Sequence, residues 1–102
     1  MRSLILVLIV LFIIAPPVFA QEHNYKPPEG YVPNAETAIR IAEAVLLPIY
    51  GESIFKERPF VAKLTDGAWV VTGTLPTNKV GGVAVIEISK ETGCILRVSH
   101  GK

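Results

Sequence analysis

The sequence contains few of the residues from which catalytic and metal sites are built. Its 102 residues include one cysteine, Cys94, and two histidines, His23 and His100. A single cysteine excludes an intramolecular disulfide, and no spacing of these side chains indicates a catalytic triad or a metal site. The pair Gly81-Gly82 leads into a predicted strand rather than a helix, unlike a phosphate-binding loop. We therefore expect a protein that is not an enzyme and needs no cofactor and no metal.

The chain also lacks an excess of charge of either sign. Ten Lys and Arg residues oppose nine Asp and Glu residues, which gives a formal net charge of +1. Removal of the N-terminal segment that contains Arg2 would leave nine of each. Nucleic acids and anionic membranes bind proteins with a basic excess. The balance argues against both as partners.

Long apolar runs are confined to the N-terminus. Arg2 precedes an apolar run from Leu4 to Ile14, Pro16-Pro17 ends it, and a small-residue cleavage motif closes at Ala20 before Gln21. A transmembrane helix needs roughly 20 apolar residues, more than this run supplies. The pattern predicts a signal peptide over 1–20, cleaved between Ala20 and Gln21. The mature protein is then periplasmic or secreted and has no stable membrane span.

Two segments follow the predicted cleavage site. Residues 21–33 are polar and rich in proline, which predicts an extended or disordered lead-in. Asn34 is a suitable N-cap and begins a single predicted domain, 34–102. Apolar residues then recur at spacings of three and four, which is typical of an amphipathic helix. They are Ala35, Ala38, Ile39, Ala42, Val45 and Leu46. Pro48 and Gly51 predict that this helix ends near Leu47.

The first of two predicted β-hairpins is centred on Asp66-Gly67. This dipeptide separates two runs rich in Val, Thr and aromatic residues, which is a strong signal for a two-residue type I′ turn. Counting outward from the turn pairs Leu64 with Trp69, and further pairs follow along the strands. The predicted core face carries Phe60, Ala62, Leu64, Trp69, Val71 and Gly73.

The second hairpin has two candidate loop lengths. A four-residue loop, 90–93, would place Arg97 beside core isoleucines. A three-residue loop, 91–93, with Gly93 in the left-handed conformation, pairs Ile88 with Leu96 and Ile86 with Val98. It also sets Glu87 opposite Arg97, a favourable cross-strand pair. We therefore predict the three-residue loop, which places Cys94 on the core face as a buried, inert thiol. An intermolecular disulfide or a reactive thiol is the alternative for Cys94.

Together these elements predict an α+β domain in which one amphipathic helix packs on a four-stranded antiparallel sheet. The sheet face opposite the helix is more apolar than a solvated face usually is. Its predicted residues are Val61, Lys63, Val70, Thr72, Val83, Val85, Glu87, Ile95, Arg97 and Ser99. Three explanations stay open: a partner covers this face, the subunit dimerises through it, or the N-terminal tail folds across it.

Three stretches of the sequence resemble one known family. They read PNAETAIRIAEAVLLPIYG, RPFVAKLTDGAWVVTGTLP and GGVAVIEISKETGCILRVSHGK. Together they are similar to a bacterial immunity-protein family with a nuclear-transport-factor-two-like fold, found in polymorphic toxin systems. The resemblance covers roughly 31–102. It implies a cystatin-like or nuclear-transport-factor-two-like domain that neutralises a cognate toxin by binding it, and it brings no catalytic residues.

The candidate partner-binding residues lie on the outer face and in the loop 76–82. They are Lys63, Val85, Glu87, Arg97, Asn78 and Lys79. The expected mechanism is steric capture of a toxin by this surface. Two alternatives stay open. The stretch EISKETGCILRV also resembles the hairpin of PepSY-type domains, which implies a protease-inhibitory or chaperone-like module with a protease as partner. A homodimeric structural module would use the same face.

Overall fold

The computed structural model describes residues 23–102, in which one helix packs on a four-stranded antiparallel sheet. The elements are helix α1 (Ala35–Tyr50), 3-10 helix η1 (Glu52–Glu57), and strands β1 (Val61–Thr65), β2 (Ala68–Thr72), β3 (Ala84–Ser89) and β4 (Ile95–His100). The strands lie side by side in chain order. This confirms the predicted fold class. The predicted signal peptide, 1–20, lies outside the described residues.

Helix α1 begins where the sequence predicts and ends later. The side chain of Asn34 accepts a hydrogen bond from the main-chain N–H of Thr37 at 2.9 Å, which makes Asn34 the N-cap. The predicted end near Leu47 is wrong, because the helix continues through Pro48 to Tyr50. Proline removes only its own N–H, so the residues after it can still donate into the helix. Accordingly, the N–H of Gly51 donates to the carbonyl of Leu47 at 2.8 Å.

The hydrophobic core lies between α1 and one face of the sheet. The helix contributes Ala38, Ala42 and Leu46, which are fully buried. Small side chains let a helix approach a sheet closely, and the larger residues of the core come mainly from the strands and from the segment before β1. Buried residues outside the helix are Val32, Ile54, Phe60, Trp69, Val71, Ala84, Ile86 and Ile88.

The first hairpin has the predicted turn and register. Asp66 and Gly67 have φ angles of 49° and 77°, as a type I′ turn requires. Leu64 pairs with Trp69, and the other predicted pairs of this hairpin follow. Leu64 lies on the same face as Trp69, as predicted, but it is not buried. Leu64 remains 49% exposed, because β1 is an edge strand and Leu64 lies at its turn end.

The second hairpin corrects the predicted loop. The N–H of Ser89 donates to the carbonyl of Cys94 at 2.8 Å, and the N–H of Gly93 donates to Ser89 at 2.9 Å. These bonds enclose a four-residue loop, 90–93, so the predicted three-residue loop is wrong. Ile88 consequently pairs with Ile95 rather than with Leu96. Gly93 does adopt the predicted left-handed conformation, with φ of 78°.

A β-bulge in β4 reconciles the longer loop with the rest of the register. The pairing shifts between Ile88 and Glu87, and Leu96 is the additional residue on β4. Beyond the bulge, Glu87 pairs with Arg97, as predicted, and Ile86 with Val98. The shift changes the start of the strand as well. Cys94 is exposed, so its predicted burial is wrong, and Leu96 is 57% exposed.

The end of the predicted lead-in is attached to the sheet. The N–H groups of Tyr31 and Val32 donate to the carbonyls of Glu91 and Lys90 at 3.1 and 3.0 Å. Val32 is 1% exposed and belongs to the core. It packs on the helix side of the sheet, beside Trp69, rather than on the outer face. The domain boundaries 21–33 and 34–102 stay a prediction.

Candidate functional site

The outer face of the sheet, opposite α1, presents two rows of side chains that cross all four strands. The first row is Val61, Thr72, Val85 and Ser99, and the second is Lys63, Val70, Glu87 and Arg97. Each residue directly faces its neighbour in the row, because the strands are in antiparallel register. Four of the six predicted site residues thus lie on two adjacent rows: Lys63, Val85, Glu87 and Arg97.

The outer face remains accessible in the described part of the chain. Along β3, the residues on the helix side are fully buried, whereas Val85 and Glu87 between them are half-buried. Val61 is 50% exposed. A shallow groove of about 400 Å³ runs over the β1–β2 half of this face. Its lining residues are Val61, Lys63, Thr65, Val70, Thr72 and Gly73. Valine side chains therefore form the floor of an open groove.

The charges of the outer face are arranged as one ion pair and one separate cation. The guanidinium Nε of Arg97 donates to Oε2 of Glu87, and its NH1 donates to Oγ of Ser99 at 3.2 Å. This cross-strand pair balances its own charge. Lys63, on the edge strand β1, has no ion-pair partner among residues 23–102. The groove beside it therefore has a net positive edge.

The two remaining predicted site residues lie in the connection between β2 and β3. Asn78 and Lys79 belong to a turn in which the N–H of Lys79 donates to the carbonyl of Pro76 at 3.1 Å. Asn78 has a φ of 67°, a left-handed conformation that asparagine tolerates well. The adjacent Val80 is fully exposed. The loop thus extends from the end of the sheet opposite the tight turns, rather than lying on the outer face itself.

A second cleft, of about 600 Å³, separates the lead-in from the two tight turns. Lys90 lies in this cleft, donates from Nζ to the carbonyl of Glu29, and forms an ion pair with that residue's carboxylate at 3.8 Å. Acidic and basic side chains both line it. These bonds between Lys90 and Glu29 cross the cleft and attach the lead-in to the second hairpin.

The sequence did not predict a buried carboxylate at the end of η1. Glu57 is 8% exposed, and its Oε1 accepts a hydrogen bond from the main-chain N–H of Ala84 at 2.7 Å. Its Oε2 lies 2.9 Å from Nε2 of His100, at the end of β4. His100 lies opposite Ala84 in the pairing of β3 with β4. Glu57 itself gave no signal, because it lies in a short segment without clear periodicity.

The surroundings of His100 favour its protonated form. Its Nδ1 lies 2.7 Å from the carbonyl of Gly101, and its Nε2 faces the carboxylate of Glu57. Hydrogen bonding to the Gly101 carbonyl, and then to Glu57, raises the pKa of His100 above its ordinary value of 6.5. The ring of Tyr50 packs against the imidazole with a centroid separation of 5.1 Å. The contacts of His100 with Glu57 and Tyr50 thus connect the end of β4 to η1 and α1.

Two further classes of site were sought in the same part of the chain. Between residues 23 and 102 there is no cluster of three or more His, Cys, Asp or Glu side chains that could hold a metal ion. Over the same residues, no helix is both long enough and apolar enough to cross a membrane.

The fold and the sequence together define the family. The chain belongs to the NTF2 fold immunity proteins, whose family model matches residues 37–102. This confirms the resemblance inferred from the three stretches quoted above. Membership in this family is the basis for the role proposed below. Immunity proteins of this kind are generally non-enzymatic.

Two curated relatives come from Escherichia coli (strain K12). Uncharacterized protein YbbC is 42% identical over 67 residues, which are 64% of this chain and 55% of YbbC. Uncharacterized protein YhhH is 37% identical over 73 residues, which are 70% of this chain and 58% of YhhH. The chain thus spans a little over half the length of these relatives. No solved structure matches it.

Proposed function

We propose that this chain is an exported, non-enzymatic immunity protein that neutralises a cognate bacterial toxin by steric capture on the outer face of its sheet. The observation that carries this proposal is the group of accessible valines on the face opposite α1, in its two adjacent rows: Val61, Val70 and Val85. A sheet face in permanent contact with water is usually polar. Accessible valines among the polar residues of this face, in a family of immunity proteins, are best explained by a protein that covers them.

The groove suggests how the toxin is held. Its valine floor accepts apolar side chains of the partner, and Lys63 at its edge favours an acidic group beside them. The Glu87–Arg97 pair at the other side of the face offers both signs of charge and so orients the partner. The exposed loop with Asn78, Lys79 and Val80 supplies a second contact at the end of the sheet. Capture by such a surface blocks the toxin without any chemical step.

The proposal also includes export of the protein from the cytoplasm. The predicted signal peptide, 1–20, would deliver the mature chain to the periplasm or the exterior, where an incoming toxin is first met. The exposed single cysteine is compatible with that compartment, because it has no second cysteine in the chain with which to pair. The proposed complex is therefore a non-covalent one between the mature domain and a secreted toxin.

The test is affinity capture followed by rescue. Tagged mature protein is used to recover partners from the periplasm, and from cells that express the neighbouring genes, and the partners are identified by mass spectrometry. We expect one stoichiometric toxin and survival of poisoned cells that co-express this chain. The variant Val85→Asp should lose both capture and rescue, whereas Glu43→Gln, on the helix side, should keep them. A toxin captured equally by Val85→Asp would overturn the role of the outer face.

The same experiment separates the two alternatives. Recovery of a secreted protease, without any toxin, would support the PepSY-like module. Recovery of the chain alone would support the homodimeric module, whose melting temperature must rise with protein concentration by mass action. Either result would contradict the immunity proposal for this chain.

A further inference from the structure

Both ends of the β2–β3 loop, residues 74–83, are fixed by one residue. The main-chain carbonyl of Glu57 accepts a hydrogen bond from the N–H of Thr74 at 2.7 Å, where the loop begins. Its side-chain Oε1 accepts from the N–H of Ala84 at 2.7 Å, where the loop ends. Gly73 also donates to the carbonyl of Ala84 at 2.9 Å, which closes the base. Glu57 therefore sets the geometry of the loop that presents Asn78 and Lys79.

The carboxylate of Glu57 is packed tightly in this position. A Cβ atom at Gly73 would lie 2.5 Å from Oε1 of Glu57, so only glycine leaves room for the carboxylate there. Its side chain is 11% exposed. A carboxylate removed from water is stable only where donors and positive charge compensate it. The two groups that compensate Glu57 are the N–H of Ala84 and the imidazole of His100.

His100 couples this carboxylate to pH. Both imidazole nitrogens face oxygen acceptors, Gly101 on one side and Glu57 on the other. Only the doubly protonated ring can donate to both, so loss of the proton leaves one acceptor without a donor. The other titratable group in contact with the ring is Tyr50, from α1. Strand β3 adds no charge here, because its residue opposite His100 is Ala84.

We propose that Glu57 and His100 form a latch that positions the β2–β3 loop and that loosens as pH rises. In the closed latch, protonated His100 neutralises Glu57, and Glu57 holds both ends of the loop. After deprotonation, the ring no longer carries a charge that neutralises the buried carboxylate, and it can donate to only one of its two acceptors. The position of Glu57 and the loop base therefore become less stable. Glu57 and His100 are thus positioning residues. The consequence for binding rests on the proposed function, since the loop is a contact element only if the toxin touches it.

The first test uses the free protein and needs no toxin. Hydrogen exchange of the Thr74 and Ala84 amides is measured by NMR between about pH 5.5 and about pH 8.5, the range in which a histidine titrates, with intrinsic exchange rates divided out. We expect protection of both amides to fall roughly tenfold across the histidine titration, the change that the loss of one charge-assisted hydrogen bond gives. Protection that is independent of pH would overturn the latch.

Matched variants assign the effect to this pair. The sequence has only one other histidine, so His23→Gln should keep the pH dependence, whereas His100→Gln should abolish it. Glu57→Gln retains an oxygen acceptor for Ala84 but no charge, so it should protect Ala84 without pH dependence. Glu43→Gln removes the surface ion pair between Glu43 and Arg58 and should resemble the wild type. A pH dependence that persists in His100→Gln would refute the assignment.

The second test measures affinity for the toxin that the capture experiment recovers. The wild type should bind it more weakly at the higher pH, and His100→Gln should show no such difference. If the amides respond to pH but the affinity does not, the loop is not the contact element and the inference fails in that part. If no toxin is recovered, the proposed function fails, and the hydrogen-exchange result still decides the latch.

Discussion

The indole N–H of Trp69 donates a hydrogen bond of 2.8 Å to the main-chain carbonyl of Val32, 37 residues earlier in the chain. Both residues are buried, Val32 at 1% and Trp69 at 9% exposure. Trp69 stands near the centre of the sheet, on β2. The bond therefore fixes the segment before α1 onto the core.

Replacement of Trp69 by Phe should be clearly destabilising. The carbonyl of Val32 would lose its side-chain donor in a buried place, which costs about 1–3 kcal/mol, in addition to the lost ring volume. Urea unfolding followed by circular dichroism measures the change. Tyr31→Phe is the control, because its hydroxyl bonds to Tyr25 at the surface, and its effect should stay within about 0.5 kcal/mol. Equal stability of both variants would contradict a structural role for the Trp69 bond.

Much of the fold follows from local sequence signals. The Asp66-Gly67 turn determines the first hairpin, since a type I′ turn and the alternation of side chains leave one register. Beyond the bulge, the Glu87–Arg97 pair was predictable because opposite charges directly across two strands are favourable. The same local reasoning placed four candidate site residues on one face.

Besides the end of α1, the sequence reasoning missed a hairpin loop compensated by a bulge and contacts between distant parts of the chain. The bulge at Leu96 compensates a loop that is one residue longer than predicted, and such compensation leaves the side-chain pattern almost unchanged. Glu57 contacts Ala84 and His100, which are 27 and 43 residues away. A glutamate in a short 3-10 helix carries no mark of burial, so this cluster required the three-dimensional arrangement.

Replacement of Gly73 by Ala tests the packing around Glu57. The added methyl group would meet Oε1 of Glu57 at 2.5 Å, and overpacking of this kind costs about 1–3 kcal/mol. Gly67→Asn is the control. A side chain at Gly67 has open space around it, and asparagine tolerates its left-handed conformation, so the cost should be about 1 kcal/mol or less.

Unfolding of the Gly73→Ala variant in a second genetic background distinguishes a steric clash with Glu57 from an effect on the backbone. Denaturant unfolding is repeated for Gly73→Ala in a chain that already carries Glu57→Ala, which removes the carboxylate. We expect the added cost of the alanine to shrink markedly there, because contacting residues are energetically coupled. An unchanged cost in both backgrounds would mean that the carboxylate of Glu57 is not what excludes a side chain at Gly73.

The stability of the domain should depend on pH through His100. Its pKa is raised in the folded state, by hydrogen bonds to the Gly101 carbonyl and to Glu57. The stabilisation that it provides is therefore fully present below the unfolded pKa of about 6.5 and is lost as pH rises through the folded pKa. Urea midpoints measured on both sides of neutrality should decline toward alkaline pH in the wild type and in His23→Gln. A decline of the same size in His100→Gln would exclude His100 as its source.

Exchange of the charges of Glu87 and Arg97 separates their role in folding from their role in binding. Each single reversal, Glu87→Arg or Arg97→Glu, puts like charges directly opposite each other across β3 and β4 and should cost about 1 kcal/mol or less. The double variant restores an opposite-charge pair, so urea unfolding should show stability close to that of the wild type.

The outer face of the double variant, however, presents the two charges in reversed positions. A toxin oriented by these charges should bind the double variant as weakly as the single ones, because reversed polarity sets like charges against each other in the interface. Recovery of wild-type affinity together with stability would mean instead that the pair serves only the sheet, and that the valine groove and Lys63 alone recognise the toxin.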